Sequence, residues 1–153
     1  MTNLSVNVNK IAWLRNARGE NRPNLIEMSK ILIESGVHGL TVHPRPDLRH
    51  ITPDDVYDLS VLCADNKVEF NIEGNPYSEQ TKIYPGFLNL VKEIMPDQCT
   101  LVPDSPDQLT SDHGWEIQAK DHNAVRNIVE EIQTDKTRAV SYTHLTLPTS
   151  IQV

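Results

Sequence analysis

Apolar and polar positions along the chain switch repeatedly between a two-residue period and a helical one. Leu4, Val6 and Val8 alternate with Ser5, Asn7 and Asn9, which predicts a first strand over residues 4–9. Leu25, Ile26, Met28, Ile31, Leu32 and Ile33 then make one broad apolar face, a helix over 24–35 that Gly36 ends as a C-cap. A second strand covers 39–43. Thr52-Pro-Asp-Asp55 opens the next helix, with Thr52 as N-cap, Pro53 at the first helical position and acids in the first turn; it runs to about Ala64. Residues 68–73, Val-Glu-Phe-Asn-Ile-Glu, are a third strand. Phe87, Leu88, Leu90, Val91 and Ile94 mark a helix over 84–95, residues 98–102 a fourth strand, and 123–133 a fourth helix after the long loop 103–115.

Strands alternating with helices predict an α/β fold with a parallel sheet and helices outside it. Four such units make half of an eight-unit (β/α)8 TIM barrel, or most of a small doubly wound sheet. Residues 1–139 form this partial domain of about four βα units. The segment Val140-Ser-Tyr-Thr-His-Leu-Thr-Leu-Pro-Thr149 has no helical period. It resembles the translation of a transposase-type sequencing adapter, so residues 140–153 are expected to be a non-native tail, the alternative being a genuine C-terminal fifth strand, and His144 is no catalytic candidate.

Composition narrows the function. A formal net charge of -7 over 153 residues, with no run of Lys or Arg, argues against nucleic-acid binding. No apolar run reaches the length of a membrane span, and residues 1–10 lack the pattern of a signal peptide. Cys63 and Cys99 stand far apart, without metal spacing, and read as reduced core residues of a cytoplasmic protein.

Candidate chemistry gathers where strands end. The first strand delivers Asn7, Asn9 and Lys10, followed by Arg15, Asn16 and Arg18. After the second come His43, Arg45, Arg49 and His50, in a loop stiffened by Pro44 and Pro46. The third delivers Asn71 and Glu73, and the fourth is followed by Thr110, Ser111 and Asp112. A barrel builds its active site at this C-terminal edge. Arginines supply phosphate forks, and two histidines with a glutamate can move protons. The inward face of the third strand is expected to be apolar, so an unpartnered Glu73 there would be costly and points to function. His38 and His113 are read as surface residues, Trp115 as packing under a loop, and Arg15 as either a helix-end salt bridge or a site residue.

Four ordered motifs carry a family resemblance: V-N-x-N-K-I-A-x-L-R-N-A-R-G, G-L-T-V-H-P-R-P-D-x-R-H-I, F-N-I-E-G and L-V-P-D-x-P-D-x-x-T-S. From about Leu4 to Trp115 the chain resembles the pyridoxine 5′-phosphate synthase family of vitamin B6 biosynthesis. The resemblance implies an eight-unit barrel, a homo-octamer, no cofactor and no metal. It implies condensation of 1-deoxy-D-xylulose 5-phosphate with 3-amino-2-oxopropyl phosphate to give pyridoxine 5′-phosphate, phosphate and water. Carried over by motif, His43 and Glu73 are general bases. Arg45, His50 and Thr110 hold the deoxyxylulose phosphate, and Asn7 and Arg18 the amino-oxopropyl phosphate. Many members have Asp-His where this chain has Asn9-Lys10, so a substrate contact differs there; lysine meets a phosphate as a point charge. The family's third catalytic residue, an acidic His, and its late phosphate-binding glycine loops belong to the second half of the barrel. Two other readings are an inactive fragment of such an enzyme and a metal-dependent barrel lyase or hydrolase using His43, His50 and Glu73 as ligands.

Overall fold

The computed structural model describes residues 2–105, 107–109, 111–115 and 122–142. In chain order the elements are β1 (Ser5–Asn7), α1 (Asn9–Arg18), α2 (Leu25–Glu34), β2 (Gly39–Val42), α3 (Pro53–Asn66), β3 (Glu69–Gly74), α4 (Phe87–Ile94), β4 (Gln98–Leu101), α5 (His122–Ile132) and β5 (Arg138–Ser141). All five strands are parallel in one sheet, in the order β1-β2-β3-β4-β5. Sequential parallel order with helical crossovers is the arrangement of a barrel opened along one seam. No helix among the described residues is long and apolar enough to cross a membrane.

Local signals place the helices. Asn24 accepts a hydrogen bond from the Glu27 N–H at 3.0 Å and starts α2. Thr52 and Asp55 form a reciprocal capping box at α3, with Pro53 inside it. Gly36, at φ 90°, follows α2 in a conformation that glycine adopts without strain. The apolar stripe of α2 is broader than the surface it covers: Leu25 is buried, whereas Ile31 is 53% exposed.

Two expectations are corrected here. The first strand stops at Asn7 instead of residue 9, and a helix that the sequence reading did not assign spans residues 9–18. Val8 and Ala12 are fully buried, Ile11 packs on the core, and Arg15 follows at the same helical spacing, which outweighs the strand-like alternation before them. The second concerns the sheet's two faces. Leu40, Val42, Phe70, Ile72, Cys99 and Leu101 pack with Val56, Leu59, Phe87 and Leu90 of α3 and α4 in one core. The alternate positions form a polar ladder across the strands: Ser5 with Thr41 (2.9 Å), Asn71 with Thr41 (3.3 Å), and Thr100 with Asn71 (3.0 Å). Below it Arg138 pairs with Glu69 at 2.9 Å. The face away from the helices is thus polar at β3, not apolar, and its hydroxyls and amides satisfy one another.

A fifth strand joins the four expected ones. β5 pairs with β4 from Arg138 to Ser141, so regular pairing runs two residues past the expected boundary at 139. Residues 143–153, with His144, lie outside the described residues.

Candidate active site

The strand order brings the ends of β1, β2, β3 and β4 side by side, and the loops that follow meet above them. Asn9, the first residue of α1, accepts the backbone N–H of His43 at 2.9 Å, while Asn7 accepts the N–H of Asn9 at 2.9 Å. The turn from β1 into α1 therefore fixes the backbone at the end of β2. The Asn7 amide donates to Glu73 Oε2 at 3.3 Å, which joins β1 to β3. Arg15 and Asn16, from the same helix, brace the β2 loop from outside. Asn16 Nδ2 donates to the His50 carbonyl at 2.9 Å, and Arg15 makes a two-pronged ion pair with Asp55 at 2.5 and 2.8 Å. Of the two roles open to Arg15, the structure places it in the salt bridge at the start of α3.

His43 lies buried at the end of β2, its ring 6.0 Å from that of His50. Burial pulls His43 down to about 4; the Asp104 carboxylate 3.7 Å away opposes this, while Arg45, His50 and Arg49 add to it. At neutral pH the imidazole is uncharged, so its approach to Asp104 is a dipole beside a carboxylate and not an ion pair. His50 is likewise held at about 4, mainly by burial and by Arg45. Its Nδ1 accepts the Ile51 N–H at 2.9 Å. The neutral ring therefore carries its proton on Nε2, as a donor. Glu73 shifts the other way. Burial and the charge of Asp104 raise it to about 7, against the lowering bond from Asn7.

Arg45 is 5% exposed, and its donors are turned into the protein. Nη1 donates to Asp104 Oδ2 at 2.9 Å; Nη2 donates to the carbonyls of Ser105 and Gln108, each at 2.9 Å. Arg49 donates to the carbonyls of Gln108 and Leu109 at 3.0 and 3.1 Å. The two arginines clamp the β4 loop onto the β2 loop. Arg45 thus organises the wall of the site, its donors taken up by the β4 loop.

The remaining expected residues fall in three groups. Lys10 is exposed, with Nζ 5.7 Å from the Trp13 ring centre, and its charge is felt at His50. Arg18 sits exposed at the last turn of α1, and among the described residues no hydrogen bond or ion pair ties it to the cluster. Thr110 lies outside the described residues. His38 and His113 are exposed, as expected, and Trp115 packs edge-on against Tyr77 while donating to the Leu101 carbonyl at 2.9 Å. Cys63 and Cys99 are free and buried, and burial pushes both thiols up to about 12. Among the described residues, no group of three His, Cys, Asp or Glu side chains is arranged to hold a metal ion.

Sequence reasoning missed Asp104. It is 5% exposed and touches Arg45, Ser111 (2.8 Å) and, more distantly, His43. The signal was available: Asp104 is the first acid after β4, three residues past the strand's end at Leu101.

The family model described as "Pyridoxal phosphate biosynthesis protein PdxJ" matches residues 4–146. A protein named pyridoxine 5′-phosphate synthase from Xylella fastidiosa (strain 9a5c) is 52% identical over 132 residues, covering 86% of this chain and 50% of that protein. Proteins of the same name from Xanthomonas axonopodis pv. citri (strain 306) and Xanthomonas campestris pv. campestris (strain B100) are 56% identical over 116 residues and 51% over 133. They are covered to 46% and 52% of their lengths, against 76% and 87% of this chain. The chain spans about half the length of the curated relatives it matches.

Proposed function

Because the chain belongs to the PdxJ family of pyridoxal phosphate biosynthesis proteins, we propose that it supplies half of the active site of a pyridoxine 5′-phosphate synthase. That enzyme would join 1-deoxy-D-xylulose 5-phosphate to 3-amino-2-oxopropyl phosphate. The observation that carries this reading is the meeting of His43, Glu73 and Asn7 at adjacent strand ends, with two proton carriers in different states. Imine formation, loss of phosphate and ring closure each need a proton taken from one atom and given to another. His43, neutral at pH 7, is ready to accept one. Glu73, at about 7, can hold or release one within the working range.

Asn7 fits an orienting role toward the amino-oxopropyl phosphate, with Arg18 as its outer cation. The His50 Nε2–H fits as a donor to the deoxyxylulose phosphate, with Thr110 beside it, and Lys10 supplies charge where an imidazole is common in the family. Asn9 acts by fixing the His43 backbone. Arg45 contributes by holding the wall and through its charge. The acidic His and the glycine loops expected of the second barrel half would complete the site. The 153-residue chain alone is therefore expected to form no pyridoxine 5′-phosphate. Cytoplasmic location and assembly as a homo-octamer belong to the same proposal.

A chimera tests it. Residues 4–139 of this chain replace the matching half of the Xylella fastidiosa relative, and product formation is assayed with both substrates. Turnover is expected, and His43→Asn or Glu73→Gln should remove most of it while the chimera stays folded. A folded chimera with no turnover, or near-parent rates in either variant, would overturn the assignment.

A further inference from the structure

We propose that Asp104 is the positioning residue of His43: it fixes the imidazole as the Nε2–H tautomer, leaving Nδ1 as the atom that takes a proton. The inference rests on the reading of His43 as a base. Its evidence is geometric. Asp104 Oδ2 lies 3.7 Å from His43 Nε2, and the carboxylate is itself held by Arg45 Nη1 at 2.9 Å and by the Ser111 hydroxyl at 2.8 Å. The donors anchor one oxygen from two sides, so the carboxylate has little freedom to turn away from the ring.

A buried carboxylate present only to pair with Arg45 would be expected to use both oxygens. Asp104 does not: Oδ1 is buried and has no hydrogen-bond partner among the described residues. Asp104 and His43 also share the lining of a small cavity of about 20 Å³ with Asn75 and Ser78. That space admits a single water, so the 3.7 Å gap can be crossed by a bridged contact as well as by a direct one. A carboxylate beside one ring nitrogen favours the tautomer whose N–H points at it, and frees the other nitrogen.

The charges around the ring agree with this arrangement. Arg45 and Arg49, from the same loop, and His50 all disfavour a proton on His43, as does burial; among the described residues Asp104, from the β4 loop, favours it. Asp104 also raises Glu73, so a single carboxylate acts on both proposed proton carriers in the same direction, favouring the protonated form of each.

The test uses the 153-residue chain, labelled with 15N at histidine, and long-range proton–nitrogen spectra. At pH 7 the His43 ring should show a protonated Nε2 and a bare Nδ1. Asp104→Asn should turn this into a mixture of tautomers and move the His43 titration midpoint below about 4. Asp112→Asn, which removes an exposed carboxylate of the same loop that contacts Gln108 and His113, should keep the parent tautomer and midpoint. A protonated Nδ1 in the parent chain would overturn the proposal, and that measurement stands even if Asp104→Asn does not fold. So would a folded Asp104→Asn chain with unchanged tautomer and midpoint, or an equal change in Asp112→Asn. None of these readouts involves turnover, so an inactive chimera would sink the proposed reaction without touching this inference.

Discussion

Exchanging Glu73 for Gln and following stability against pH probes the electrostatics of the strand-end cluster directly. Between pH 4.5 and 6.5 the unfolded chain protonates His43 and His50, whose ordinary value is 6.5, whereas the folded chain leaves both neutral down to about 4. Glu73 does the reverse: unfolded it is ionised above 4.5, folded it keeps its proton up to about 7. Two protons favour the unfolded state and one the folded state, so the unfolded state binds one more. One proton of difference changes stability by about 1.4 kcal/mol per pH unit, in the direction of greater stability at higher pH. Across the window the parent chain should gain roughly 3 kcal/mol from these groups. Above pH 6.5 the histidines no longer differ, and Glu73 alone makes stability dip slightly toward pH 7. Glu73→Gln removes the opposing proton, so the slope should about double and the dip vanish. His43→Asn should leave one histidine against one carboxyl and a nearly flat profile. Urea unfolding at half-unit pH steps measures this, and the remaining carboxylates cancel in the difference between parent and variant. A Glu73→Gln slope equal to the parent's would refute the reasoning, because it would mean that Glu73 is ionised throughout.

Other perturbations reach the scaffold around the site. A methyl group at Gly74 would overlap the fully buried Phe87 ring, so Gly74→Ala should cost about 1–3 kcal/mol; in a double-mutant cycle with Phe87→Leu the two losses should fall short of adding, and strict additivity in urea unfolding would speak against the clash. Burial pushes the Asp55 carboxyl up, but hydrogen bonds from Arg15 and Thr52, with the charge of Arg15, leave it below its ordinary 3.8. That contribution is complete above about pH 4 and disappears as pH falls through the lowered value, so Asp55→Asn should cost about 2 kcal/mol at pH 7 and show less acid sensitivity than the parent. Inorganic phosphate binding beside Lys10, Arg49 and His50 would raise the His43 and His50 midpoints from about 4; midpoints unmoved by millimolar phosphate in a proton titration would count against an anion site there.

Much of this architecture was readable in the chain because the signals were local. The Thr52-Pro-Asp-Asp55 box announces α3 whatever surrounds it, and Phe87, Leu90 and Val91 can share a face only on a helix. The errors came where two periods overlap or where a partner is distant. Val8 belongs to the alternation before it and also to the helical set Val8, Ile11, Ala12 and Arg15, and only burial against the sheet decides between them. The alternation in Glu69-Phe-Asn-Ile-Glu73 shows that one face is polar; which face meets the helices depends on α3 and α4, residues away in sequence. Arg45 was read from its loop alone, and its true partners lie about 60 residues further on, at Asp104, Ser105 and Gln108. Asp104 went unnoticed for the same reason, since its meaning depends on what packs beside it.

The double arginine clamp has a consequence for how sequence can drift around the site. Arg45 and Arg49 hold the segment after β4 chiefly through the carbonyls of Ser105, Gln108 and Leu109. Every amino acid offers the same carbonyl, so those positions can change identity without loosening the grip. What the clamp does register is spacing: an inserted or deleted residue would move every acceptor out of reach at once. The wall of the site thus tolerates varied lettering but enforces its length, and the constraint is written in the loop opposite.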